Sequence, residues 1–194
     1  ESVKSRGLGD VYKRQDERWD LKFIGMQIII EGLALAAFQM LKVITKDPLL
    51  KQLLHYVVRD EARHVTFGIN YLEDYIKTLS PEEINERAEF AYEACVISRE
   101  RLINTKSEQR FLKMSEEEAR EFQLNTKTFE MFRNFLFSRV IPNLSRIGLL
   151  TDEVRPKFEA LGLLEYEHAP SDFECDWAEM RKPLEQFGQI PEAI

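Results

Sequence analysis

Glu31 is the only ionisable residue between Lys22 and Lys42, set in the run FIGMQIIIEGLALAAFQML. The run is long enough to span a bilayer, but Gln27, Glu31 and Gln39 interrupt it and charged residues flank it, so a membrane helix is rejected. A helix buried in a soluble bundle accounts for the same apolarity. It also sets a carboxylate among aliphatic neighbours, which costs several kcal/mol unless the group is neutralised, hydrogen-bonded or bound to a cation.

The patterning predicts an all-α chain. One helix is expected from Glu17 to about Lys46, with Ile24, Ile28, Leu35 and Phe38 on a shared face. Asp47 and Pro48 then supply the N-cap and first turn of a second, antiparallel helix reaching about Lys77. Ser80, Pro81 and Glu83 open a third as a capping box, with Ile84, Ala88, Ala91, Cys95 and Leu102 along its stripe to about Asn104. Ser115 and Glu118 open a fourth, which carries Phe122, Phe129, Phe132, Phe135 and Phe137 until Pro142 ends or kinks it. A short helix over Glu153 to Leu161 closes at Gly162. No strand alternation, internal repeat, phosphate-binding glycine loop or GxSxG elbow is present.

With 194 residues, 44% of them apolar, one domain is expected, over residues 16–162. Residues 1–15 are basic and lack an apolar period, and are read as a non-native or disordered leader outside the fold. Residues 163–194 are weakly patterned and are expected to lie over the bundle as a tail. A net charge of -7, with basic residues scattered among acidic ones, argues against a nucleic-acid partner. Cys95 and Cys175 lie far apart without CxxC spacing, which fits reduced thiols and a cytoplasmic location.

In RDEARH, Glu61 precedes His64 by three residues, so both project from nearly the same face of the second helix. Leu50, Leu54, Val57, Val58, Val65, Ile69 and Leu72 surround them in helical register, and the pair is expected to point into the core. The spacing alone is weak, because Glu165 and His168 repeat it in a region without an apolar stripe. Glu31 provides an independent check. From the turn near Asp47 it lies roughly 24 Å back along the first helix, and Glu61 roughly 20 Å forward along the second, at the helical rise per residue. The three groups are therefore expected at one height, where they could hold a metal ion. Asp60, four residues before His64, could orient the imidazole, and Arg63 could pair with a ligand carboxylate. Ordinary solvent-side helix charges explain both equally well. Gly32 and Gly68 either leave room for a small ligand or permit close helix packing.

The segments QIIIEGLALAAF and VVRDEARHVTFG resemble the ferritin-like superfamily, nearest to bacterial proteins related to ribonucleotide reductase small subunits and to p-aminobenzoate N-oxygenase. The resemblance spans roughly residues 16–168, with DEARH its most specific part. It implies a ferritin-like bundle in which two units, each a Glu plus a Glu-x-x-His, hold two iron ions, or manganese with iron. Here Glu31, Glu61 and His64 match one unit. Neither Glu93, which has no downstream histidine partner, nor the Glu165 and His168 pair supplies the other. The chain then corresponds to a bundle lacking its first metal-bearing helix pair, with three of about six ligands. The implied function is half of a dinuclear oxidase or oxygenase acting on dioxygen and a small organic substrate. Alternatives are a non-catalytic iron-storage protein and a metal-free helical interaction module. A homodimer would bring two copies of the unit together.

Overall fold

Local start signals set the helix boundaries in the structure, a computed structural model that describes residues 18–169. The leader, residues 16 and 17, Cys175 and the tail beyond Ala169 lie outside the described residues. Helix α1 runs Trp19–Ile44. Asp47 caps the next helix by accepting a hydrogen bond from the Leu50 amide at 3.0 Å, with Pro48 in the first turn where no amide donor is needed. This is α2, Pro48–Ile76. Ser80 and Glu83 close a complete capping box at the start of α3, Pro81–Arg101.

The expected fourth helix is instead broken. α4, Glu116–Asn125, opens with the capping box of Ser115 and Glu118, but Thr126 turns extended and α5, Lys127–Leu136, starts afresh. The Thr126 hydroxyl donates to the Phe122 carbonyl at 2.6 Å, while its amide turns to the Gln123 carbonyl at 3.2 Å, a three-residue step in place of the four of a continuing helix. Pro142 does not terminate anything either. It sits in the first turn of α6, Val140–Arg146, the part of a helix that tolerates a missing amide donor. α7, Arg155–Ala160, follows, and Gly162 beyond it adopts φ +69, the left-handed conformation that closes a helix.

The described residues contain helices and no strand. One main core gathers Ile24, Ile28 and Ile29 of α1, Ile69 and Leu72 of α2, Ala91 and Cys95 of α3, Ile141 and Leu144 of α6 and Phe158 of α7. Cys95 forms no disulfide, and its burial raises the thiol pKa so far that it stays neutral and unreactive. A smaller cluster of Leu35, Val58 and Ala62 joins α1 to α2 beside Glu31. At the other end of α1, Asp20 accepts from Arg87 Nε at 2.8 Å, a pair with side chains only 1% and 5% exposed. That pair pins the start of α1 to α3.

Helix α1 contains a π-helical segment, Ile24–Ile30, that the apolar pattern does not announce. It is also apolar and long enough to cross a membrane, yet only 44% of its most apolar stretch is buried. Nothing among the described residues covers its outer side, with Met26 46%, Leu41 38% and Ile44 63% exposed.

Candidate metal site

The π segment ends where the chemistry begins. Gln27, inside it, donates to Glu31 Oε1 at 3.1 Å, while Glu31 Oε2 is buried with no hydrogen-bond partner among the described residues. Burial raises the Glu31 pKa above the usual carboxylate range; the nearby His64 works against that, Glu61 adds to it and Gln27 opposes it. A half-satisfied, partly desolvated carboxylate is the kind of group that a cation stabilises.

Across the groove, α2 presents Glu61 and His64. One potential ligand atom from each of Glu31, Glu61 and His64 lies within 4.8 Å of the other two. The His64 Nδ1 atom is 3.3 Å from Glu61 Oε2, one helical turn apart. Two carboxylates and an imidazole at this separation suit a divalent transition ion, and the donor set does not choose between iron, manganese and zinc.

The groups do not point into the core as expected. The Glu61 side chain is 28% exposed and that of His64 60% exposed, so the trio opens toward solvent. The helical period explains it. Val58, Ala62, Val65, Ile69 and Leu72 take the buried line of α2, and advancing by 100° per residue leaves Glu61 on its flank and His64 further round.

Asp60 and Arg63 do not orient the ligands. Asp60 is exposed and receives Arg59 and Arg63, each at 3.4 Å, so both residues are solvent-side helix charges. Glu93, Glu165 and His168 are exposed, and none belongs to the trio. Close packing accounts for the glycines. A Cβ on Gly68 would lie 2.6 Å from Gln27 Cβ, and one on Gly32 would lie 3.1 Å from Val140 Cγ2. Gly68 thus lets α1 and α2 approach at the level of the site.

Gln27 was not singled out in sequence, although its position four residues before Glu31 puts the two on one face. The aromatic set beside the site was also missed: Phe23 stacks obliquely on Phe67 and Tyr71, and Trp19 on Tyr75. Spacings of three residues from His64 to Phe67 and four from Phe67 to Tyr71 carried that signal. Comparison with protein-family models, with curated proteins and with solved structures finds no match for this chain.

Proposed function

We propose that the chain carries half of a dinuclear metal centre, of iron or of manganese with iron, in an oxidoreductase that acts on dioxygen and a small organic substrate. The observation behind this reading is the convergence of Glu31, Glu61 and His64, together with a buried Glu31 oxygen that has no hydrogen-bond partner among the described residues. Glu31 and Glu61 would hold the ions through oxygen and His64 through nitrogen, with Gln27 fixing the Glu31 carboxylate. When bound, the metals supply the binding and reduction of dioxygen. The protein's share is placement: the aliphatic cluster of Leu35, Val58 and Ala62 holds α1 against α2, and the solvent-open side at Glu61 and His64 admits the ion.

Glu31→Gln tests the reading. Titration with Fe(II) under anaerobic conditions, or with Mn(II), is expected to show binding by the native chain and a loss of about 100-fold, or about 2.7 kcal/mol, in the variant. Equal affinity in both, or no binding by the native chain, would sink the proposal.

A metal-free module is the second reading, favoured by the Gln27 hydrogen bond and the raised Glu31 pKa. Without metal, stability from a group whose folded pKa is raised is complete below its unfolded value and is lost as pH rises through the folded one. The ion-free native protein should therefore be less stable than Glu31→Gln at neutral pH, and acidification should close the gap. Denaturant titrations of both proteins at several pH values check this.

A further inference from the structure

Glu31, Glu61 and His64 lie near the middle of a face that nothing among the described residues covers. On α2 the face continues from His64 in helical register past the exposed Asp60 to Leu53, 57% exposed, in one direction, and to Phe67 and Tyr71, 51% and 57% exposed, in the other. On α1 the exposed apolar residues beside it are Met26 and Leu41, with no ionisable residue between Lys22 and Lys42 except Glu31 itself. Phe23 reaches Phe67 and Tyr71 at ring-centroid distances of 6.1 and 6.4 Å, so the aromatic end of the α2 stripe packs against the start of α1. Exposed apolar residues gathered on one face, rather than scattered singly, are the mark of an interaction site.

From this juxtaposition we infer that a second copy of the chain packs on this face and completes the metal site with its own Glu31, Glu61 and His64. The inference rests on the metal reading above and deepens it by naming the partner. A two-fold contact uses the same patch on both copies. Because the trio sits near mid-length of both helices, an axis beside it sets Leu53 of each copy toward the Phe67 and Tyr71 end of the other. Two copies bring four carboxylates, whose formal charge matches that of two divalent cations. They also enclose the open side of His64, which in one copy faces water.

The test combines sedimentation equilibrium and metal titration of the full chain, with and without Mn(II), beside Leu53→Lys and His64→Ala. Leu53 is exposed and is not a ligand, so its replacement strikes the face and spares the trio. The native chain should dimerise, take up one ion per chain, and dimerise at least about tenfold more tightly with Mn(II). Leu53→Lys should weaken both dimerisation and Mn(II) affinity by about tenfold or more, whereas His64→Ala should remove the effect of metal on dimerisation. A chain that binds one ion while remaining a monomer overturns the second copy and leaves the metal reading standing, and so does normal Mn(II) affinity in a monomeric Leu53→Lys. A dimer that binds no ion overturns both.

Discussion

Replacing Arg87 with methionine is expected to destabilise the protein by about 3–5 kcal/mol, because it strands the Asp20 carboxylate in the interior without its partner. The Arg87 guanidinium also donates to Glu86 at 2.7 Å, but that acid is half exposed and can turn to water, whereas Asp20 is only 1% exposed. Removing both charges, in Asp20→Leu with Arg87→Met, should recover much of the loss, since a buried pair can be replaced by apolar groups of similar volume at little net cost. Chemical denaturation of the two variants decides it. A loss under about 1 kcal/mol in Arg87→Met would mean that water or local movement already serves Asp20.

Gly68→Leu should produce the second large effect, and it acts on the site from behind. The new side chain meets Gln27 Cβ, an atom fixed to the α1 backbone, so the helices themselves must separate. Overpacking of this kind costs about 1–3 kcal/mol, less a gain of up to about 1 kcal/mol from replacing glycine in a helix. Since Gln27 holds Glu31, the separation should also lower Mn(II) affinity by about tenfold while all three proposed ligands remain. Unchanged affinity in a folded Gly68→Leu protein would show that the spacing of α1 and α2 does not set the site.

What could be read directly from the residues was what depends on neighbours in sequence. Asp47 with Pro48, Ser80 with Glu83 and Ser115 with Glu118 each satisfy the first amides of a helix by themselves, and all three begin helices where expected. Two regular helices leaving one tight turn then bring Glu31 level with Glu61 and His64. Features that depend on tertiary surroundings were not legible. The π segment changes the phase of α1 without a proline to mark it, and no proline or glycine marks the break at Thr126, whose hydroxyl makes the same bond that Thr66 makes inside the unbroken α2. The outward aspect of His64 was hidden for the same reason: periodicity shows that a residue borders an apolar stripe, but not whether another element covers that border.

The widened turns of α1 make it behave as two rods joined out of phase. The stretch before Ile24 is clocked by the ion pair with α3, and the stretch after Ile30 by the packing of Leu35 with Val58 and Ala62 of α2. A regular helix of the same composition could satisfy one of these bearings and would swing the other away, so losing a single residue from the splice should unseat Glu31 even though every group it touches is still encoded.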